Sequence, residues 1–206
     1  MTGSPVAILD RDGTLVDIVR DEEIGAISVA FHPSQLRILD GVVEGLLALQ
    51  AAGYLLAIAT NQPGPAKGQY TAEAVKKTND ALVEQLKSRG IAIACVKACL
   101  HHPQGGPGGD ASLVGPCNCR KPKAGMLEEI LKETGADRAR SWMIGDSRAD
   151  LDAARAAKLG AGLVFANNRC ELCPLRDGPA GSPDVHGSSL REVAAQILAR
   201  AVSPEA

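Results

Sequence analysis

The chain has 206 residues, six cysteines and a formal net charge of −2, a length that suits one domain over residues 1–206 with a substantial core. The near-neutral charge and the absence of a basic block argue against nucleic acid as a partner. No apolar run approaches the ~20 residues of a membrane span. The stretch before Asp10 is too short and polar for a secretory signal, so we expect a cytoplasmic protein. Its cysteines should then bind metal or remain free thiols.

The first predicted strand, Val6 to Leu9, delivers two carboxylates, Asp10 and Asp12, and Gly13 then allows a sharp turn. In open α/β sheets, ligands bind beyond the carboxyl ends of strands. One aspartate there can attack phosphorus and form an aspartyl-phosphate, while the second handles the proton of the leaving group. Such a pair repels itself, and an oxygen-rich site with few carboxylates suits Mg²⁺. The alternative is an acid pair that only caps a turn.

The segment over 18–40 reads as irregular and could form a flap over the end of the first strand. A helix over 41–52 and a strand over 54–59 follow, the strand ending at a polar triplet. Within this triplet, Thr60 and Asn61 are placed to contact a phosphoryl oxygen. Alternatively, they satisfy the turn.

Further helices and strands alternate along the remaining chain. After a turn-rich loop over 63–68, the pattern predicts a helix over 72–89, a strand over 91–98, a helix from about 124, a strand over 141–144, a helix over 148–158, a strand over 162–166, a loop over 167–188 and a closing helix over 190–202. This succession indicates an α/β protein.

Three cysteines and a histidine lie at the two ends of one Gly- and Pro-rich loop, about 99–119. They offer the thiolates and imidazole of a closed, tetrahedral structural zinc site: Cys99, His101, Cys117 and Cys119. The alternatives are four unrelated residues or an oxidised cysteine pair. A second Cys-x-x-Cys, formed by Cys170 and Cys173, could be half a zinc site, a redox pair or free thiols, and the lack of a further pair favours free thiols.

Two cations, Arg120 and Lys121, directly follow the last of these cysteines. Arg binds phosphate or sugar oxygens bidentately and Lys supplies a point charge, although a solvated basic turn is the alternative. Asp146 stands at another strand end, and Asp150 follows on the first turn of a helix. Asp150 can hold the same cation from the opposite side, cap the helix, or do both.

Together these motifs resemble the haloacid dehalogenase-like phosphatases: Asp10-Arg-Asp-Gly-Thr14, Thr60-Asn-Gln62, Lys121, and Gly145-Asp146 with Asp150. Three longer stretches are similar to the D,D-heptose 1,7-bisphosphate phosphatases and histidinol-phosphate phosphatases in particular, and they are Thr60 to Gly68, Cys99 to Gln104 and Cys117 to Pro122. The similarity extends from Ile8 to the final helix. It implies a Rossmann-like three-layer α/β/α parallel sheet without a large cap domain.

The resemblance also implies roles for single residues. Asp10 would be the nucleophile, Asp12 the general acid/base and Lys121 the group that neutralises the phosphoryl charge. Thr60 and Asn61 would contact that group, and Arg120 would bind substrate. Mg²⁺ would be held by Asp10, the backbone carbonyl of Asp12, and Asp146, and Zn²⁺ by Cys99, His101, Cys117 and Cys119.

The function so implied is Mg²⁺-dependent removal of the 7-phosphate from D-glycero-D-manno-heptose 1,7-bisphosphate, in the synthesis of nucleotide-activated heptose for surface polysaccharide. The only partner expected is a small phosphorylated sugar, with the protein acting as a monomer. Histidinol phosphate is the alternative substrate, and a non-catalytic, zinc-stabilised cation-binding module is the alternative of another class. Ser147, Pro63 and Pro65 depart from the usual heptose phosphatase pattern, which leaves the sugar and its anomer less defined than the chemistry.

Overall fold

The computed structural model of the protein describes residues 3–21, 23, 25–165 and 182–202. Their strands are, in chain order, β1 (Val6–Leu9), β2 (Val19–Asp21), β3 (Ala26–Ser28), β4 (Leu55–Asn61), β5 (Ile93–Cys99), β6 (Trp142–Gly145), β7 (Gly160–Val164) and β8 (Val185–Gly187). Six of them form one sheet in the order β5-β4-β1-β6-β7-β8, in which every neighbouring pair is parallel. The two central partners of β1 are therefore β4 and β6.

Helices connect the parallel strands from β1 to β7, because a parallel pair needs a crossover connection, and one further helix follows β8. They are α1 (Val42–Ala51), the single turn α2 (Gly64–Lys67), α3 (Ala72–Lys87), α4 (Gly125–Thr134), α5 (Arg148–Ala156) and α6 (Leu190–Val202). Short 3₁₀ turns occur at Pro33–Gln35, Ala111–Leu113 and Arg138–Arg140.

The sheet is covered on both faces, because successive strand residues point in opposite directions. Leu9 of β1 belongs to the core shared with α1, α3 and α6, whereas Ile8 belongs to the core shared with α4 and α5. Burial on both sides explains why β1 is apolar at every position. The three-layer α/β/α architecture expected from the sequence is confirmed.

Three local predictions were wrong. The segment over 18–40 is not wholly irregular, since β2 and β3 pair as an antiparallel hairpin. The expected loop over 167–188 ends in β8, which adds a sixth strand to the sheet edge. The turn-rich loop over 63–68 contains α2. All three elements are only three or four residues long, too short for a periodic pattern to show.

Element ends also differ slightly from prediction, with α5 ending at Ala156 and β7 running from Gly160 to Val164. The insertion between β1 and α1 is this small hairpin and not a large cap domain, in agreement with the fold expected from the resemblance. Among the described helices, none has the length and apolar character needed to cross a membrane. Cys170 and Cys173 lie outside the described residues.

Candidate active site

The predicted acidic and polar side chains meet at the carboxyl edge of the three central strands. Asp10 follows β1, Thr60 lies near the end of β4, and Asp146 follows β6. Since β1 lies between β4 and β6, these positions are neighbours in space. Gly13 adopts φ of 84°, a left-handed conformation that turns the chain away just after the second acid.

Lys121 is the central cation of this edge. Its Nζ lies 2.7 Å from Asp10 Oδ1 and 2.6 Å from Asp150 Oδ1, and it donates a 2.7 Å hydrogen bond to the Ala59 carbonyl. Burial alone would lower the pKa of Lys121, but Asp10 and Asp150 outweigh it and hold that pKa above its usual value. The ammonium group therefore stays charged although the residue is only 3% exposed.

Asp10 is the carboxylate whose pKa is most affected by this buried environment. Burial raises its pKa from 3.8 to about 6, because Lys121 lowers it only in part and the negative charge of Asp150 raises it further. Its side chain keeps 13% of its surface accessible, in contrast to 1% for Asp150. Of the two carboxylates on Lys121, Asp10 is thus the one that an incoming molecule can reach.

Asn61 fixes the main chain of Lys121. Its Nδ2 donates to the Lys121 carbonyl and its Oδ1 accepts from the Lys121 N–H, both at 3.0 Å. The peptide bond between Lys121 and Pro122 is cis. Since the amide is engaged in this way, the observed geometry gives Asn61 a part in placing Lys121, and its predicted contact with a phosphoryl group stays a prediction.

The carboxylate of Asp12 is directed to a different set of partners. It accepts hydrogen bonds from Arg11, from the Ala30 N–H and from Gln62 Nε2, the last at 2.7 Å. Gln62 Nε2 also lies 2.9 Å from Thr60 Oγ1. Thr60, Gln62 and Asp12 are therefore joined in one hydrogen-bonded row beside Asp10.

Tyr70, which lies outside the sequence motifs, extends this hydrogen-bonded row. Its hydroxyl donates to Gln62 Oε1 at 3.2 Å, and its ring stacks on Phe31 with centroids 5.1 Å apart and planes 8° apart. Phe31 belongs to the segment over 18–40, which supports the expectation that this segment lies over the strand ends. Burial is the main cause that raises the pKa of Tyr70, so its hydroxyl remains a donor.

A group of carboxylates that could hold a metal ion is formed by Asp10, Asp146 and Asp150, whose oxygens lie within 4.8 Å of one another. An all-oxygen donor set of this kind suits Mg²⁺. Together with Asp12 there are four carboxylates here against two buried cations, Lys121 and Arg11. The excess of two negative charges is what a divalent cation would neutralise.

Asp150 has further partners besides Lys121. Its Oδ2 accepts hydrogen bonds from the N–H of Ser147 at 3.0 Å and from the Ser147 hydroxyl at 2.5 Å, which caps α5. A side chain on Gly145 would collide with the Asp150 carboxylate, so glycine is required for this approach. The geometry is thus consistent with both predicted roles of Asp150, helix capping and support of the cation site.

The second group that could hold a metal is the predicted set of Cys99, His101, Cys117 and Cys119. Tetrahedral zinc with bonds of about 2.3 Å to sulfur and 2.0 Å to nitrogen needs S–S separations of about 3.8 Å and S–N separations of about 3.5 Å. The observed separations are 3.8 Å for Cys99 to Cys117, and 3.9 and 3.4 Å from His101 Nδ1 to Cys99 and Cys119. The 2.8 Å between Cys99 and Cys119 is shorter and would lengthen around an ion.

His102 does not belong to this group, and its Nδ1 accepts hydrogen bonds from the N–H groups of Gln104 and Gly105. Burial, together with the neighbouring thiol of Cys119, raises the pKa of Cys99 well above its usual range. A bound cation is therefore needed to keep this sulfur as a thiolate ligand. Zn²⁺ fits the donor set, and it would close the loop that ends directly before Arg120.

Similarity to known proteins agrees with this geometry. A HAD-hydrolase-like family model matches residues 118–181. The chain is 34% identical to the D-glycero-beta-D-manno-heptose-1,7-bisphosphate 7-phosphatase of Photorhabdus laumondii, over 81% of this chain and 83% of that protein. The enzyme of the same name from Rhodopseudomonas palustris is 36% identical over 74% and 79%.

The chain belongs to this family of HAD-like phosphatases. A solved relative is the D,D-heptose 1,7-bisphosphate phosphatase from B. bronchiseptica in complex with magnesium and phosphate. It has a TM-score of 0.75 and 28% identity, with coverage of 95% of this chain and 99% of the other.

Within this HAD-like phosphatase, the structure brings together the residues predicted for chemistry: Asp10, Asp12, Thr60, Asn61, Lys121, Asp146 and Asp150. Arg120 is partly exposed at the rim, with Nη1 3.4 Å from the His101 carbonyl. Sequence reasoning gave no role to Arg11, Gln62, Ala30 or Tyr70. The one sequence feature that could have indicated a role is that Arg11 and Gln62 lie inside the motifs Asp10 to Thr14 and Thr60 to Gln62.

Proposed function

We propose that this phosphatase hydrolyses the 7-phosphate of D-glycero-β-D-manno-heptose 1,7-bisphosphate through an aspartyl-phosphate on Asp10. The observation that carries the proposal is the accessible Asp10 carboxylate, held 2.7 Å from the buried ammonium group of Lys121 at the carboxyl edge of the sheet. The named activity of relatives 34–36% identical supports the choice of substrate and of the β anomer. The product would serve the synthesis of nucleotide-activated heptose.

In the first step, Asp10 attacks phosphorus as the bond to the sugar oxygen breaks, and Asp12 donates a proton to that oxygen. In the second step, Asp12 takes a proton from the water that attacks phospho-Asp10, and phosphate leaves. Lys121 stabilises the charge that spreads over the transferring phosphoryl group in both steps. Its ion pair with Asp150 holds it in place.

Asp10, Asp146 and the backbone carbonyl of Asp12 would hold the Mg²⁺ ion. When bound, this ion neutralises charge on the phosphoryl oxygens and reduces the repulsion between the carboxylates. Asp150 supports the site through Lys121. The zinc cluster is structural in this proposal, because three thiolates and one imidazole leave no position for substrate.

On the substrate side, Thr60 and Asn61 would face the transferred phosphoryl group, and Arg120 would bind the sugar or its second phosphate. We further infer one domain over 1–206, a monomer and a cytoplasmic location. The single continuous sheet supports one domain, and a small soluble sugar phosphate as substrate supports the location.

The test is phosphate release with Mg²⁺ from both anomers of heptose 1,7-bisphosphate and from histidinol phosphate at equal concentration. We expect kcat/KM to be highest for the β anomer. A preference for histidinol phosphate would keep the mechanism and overturn the substrate. No release from any of the three would refute the proposed activity and favour a non-catalytic cation-binding module.

A further inference from the structure

Arg11 is a charged side chain with no exposed surface, and it stands between the two proposed catalytic acids. Its guanidinium donates to Asp12 through Nε at 3.0 Å and Nη2 at 3.1 Å, to Asn79 Oδ1 at 2.7 Å and to the Ala30 carbonyl at 2.6 Å. Burial of a charge is costly unless an opposite charge and hydrogen bonds compensate for it, and these contacts with Asp12, Asn79 and Ala30 are the compensation of Arg11.

The arrangement leaves little freedom to the carboxylate of Asp12. Its Oδ1 accepts from Arg11 and the Ala30 N–H, and its Oδ2 accepts from Arg11 and Gln62. Two donors on each oxygen define both the position and the plane of the carboxylate. Arg11 is the only one of these donors to contact both oxygens.

We propose that Arg11 is a positioning residue that orients Asp12 for proton transfer, with Asn79 and Ala30 as its anchors. The inference rests on the proposed function and names a residue that acts through Asp12 rather than on substrate. The planar guanidinium can hold a carboxylate by two parallel bonds while its third nitrogen is fixed elsewhere, which a Lys ammonium cannot reproduce. The segment over 18–40 takes part through Ala30, which contacts both Arg11 and Asp12.

The role predicts different effects on the two chemical steps. With p-nitrophenyl phosphate, the bond between Asp10 and phosphorus forms as p-nitrophenolate leaves as a stable anion, so this step needs no proton from Asp12. Hydrolysis of phospho-Asp10 still needs Asp12 to accept a proton from water. A misplaced Asp12 should therefore allow the first step and slow the second, and phospho-Asp10 should accumulate.

The decisive experiment is rapid-mixing kinetics of Arg11→Lys with p-nitrophenyl phosphate and Mg²⁺, with mass spectrometry of acid-quenched protein. We expect a burst of about one p-nitrophenolate per enzyme, then turnover about 100-fold slower than the wild type, the lower range for loss of acid/base catalysis. The quenched variant should carry a phosphoryl group on Asp10. Equal slowing of burst and turnover, without phosphoenzyme, would overturn the inference.

Asn79→Ala provides a second, milder variant should Arg11→Lys fail to fold, since it removes only an anchor of Arg11. The same burst with a smaller slowing, about 10-fold, is expected because one hydrogen bond from a charged donor, about 1.5 kcal/mol, is lost. Arg20→Lys is the control, because Arg20 forms an exposed pair with Asp17 in the same segment, and it should show no burst. A burst from the control, or none from a folded Asn79→Ala, would refute the role.

Combining Arg11→Lys with Asp12→Ala separates this inference from the proposed function. If Arg11 acts through Asp12, the double variant should be no slower than Asp12→Ala alone. Additive losses would show an independent structural effect. Failure of the wild type to release p-nitrophenolate with Mg²⁺ would refute the proposed function itself, whereas an active wild type without a burst in the variants would refute only the role of Arg11.

Discussion

The two candidate metal clusters differ in what surrounds them. The carboxylates Asp10, Asp146 and Asp150 lie at the sheet edge with a buried ammonium group among them, and one of the three remains accessible. The cluster of Cys99, His101, Cys117 and Cys119 has four protein donors and joins the ends of a loop. Hard oxygen donors with an open side suit an ion that meets substrate, whereas a complete tetrahedral set suits an ion that only supports structure.

The sharpest test of this difference is Asp10→Asn, which removes the proposed nucleophile while keeping its size. We expect kcat to fall at least about 1000-fold, as for other covalent nucleophiles, with the zinc content unchanged. The fall in kcat is measured by phosphate release, and the zinc content by elemental analysis. Asp17→Asn, at a half-buried acid that pairs with Arg20 outside the proposed site, is the matched control. Wild-type turnover by Asp10→Asn would refute the nucleophile.

Lys121→Met should have the next largest effect. It removes the charge that stabilises the phosphoryl group, a loss of about 100- to 1000-fold in kcat. Thermal unfolding should be recorded alongside, because Asp150 would lose its cationic partner. Lys123→Met alters an exposed lysine two residues away and should keep full activity. Equal activity of the two variants would exclude Lys121 from the chemistry.

Cys119→Ser tests the structural cluster. Loss of a zinc ligand should cost about 3 kcal/mol and lower Tm by about 10 °C, at 2–4 °C per kcal/mol for a chain of this size. Activity should fall less than in Lys121→Met, because the loop orients Lys121 without touching phosphorus. Calorimetry measures the fall in Tm, and phosphate release at 15 °C measures the loss of activity. Cys95→Ser, at a half-buried cysteine outside the cluster, is the control, and an equal fall in Tm there would contradict the assignment.

The smallest expected effect concerns pH. The pKa of Asp10 is raised to about 6 from 3.8, so its contribution to stability is full below pH 3.8 and is lost as pH rises through about 6. Without Mg²⁺ but with zinc retained, Asp10→Asn should therefore gain stability relative to the wild type between pH 4.5 and 7.5, by about 2 kcal/mol. Urea unfolding at both pH values measures this. If Asp10→Asn instead lost stability relative to the wild type, the charge of Lys121 rather than burial would dominate the pKa of Asp10.

The sequence allowed prediction of those site residues that follow strands directly. Asp10, Thr60 and Asp146 are at strand ends, and parallel strands bring such ends to one edge. The clustering of Cys99, His101, Cys117 and Cys119 could be predicted because donor type and loop position restrict a candidate metal site strongly. Both kinds of inference depend on local sequence plus one general rule of folding.

Arg11 was missed for a physical reason. Whether an arginine next to two acids points to solvent or is buried depends on Asn79 and Ala30, which are 68 and 19 residues away. The hairpin of β2 and β3 and the edge strand β8 are similar cases, since their pairing comes from tertiary contacts rather than from hydrophobic periodicity. Pairings between distant residues of this kind have no local signature.

The carboxylate of Asp12 determines which way round the amide of Gln62 is held. A side-chain amide can rotate by a half-turn and exchange its oxygen with its nitrogen at almost no steric cost, and a tyrosine hydroxyl could serve either orientation because it both donates and accepts. An ionised carboxylate only accepts, so the NH₂ group of Gln62 must face Asp12 and Thr60, and Oε1 is left to accept from the Tyr70 hydroxyl. The direction of donation along the whole row is thus set by one carboxylate, and the phenol at the far end of the row is held flat against Phe31.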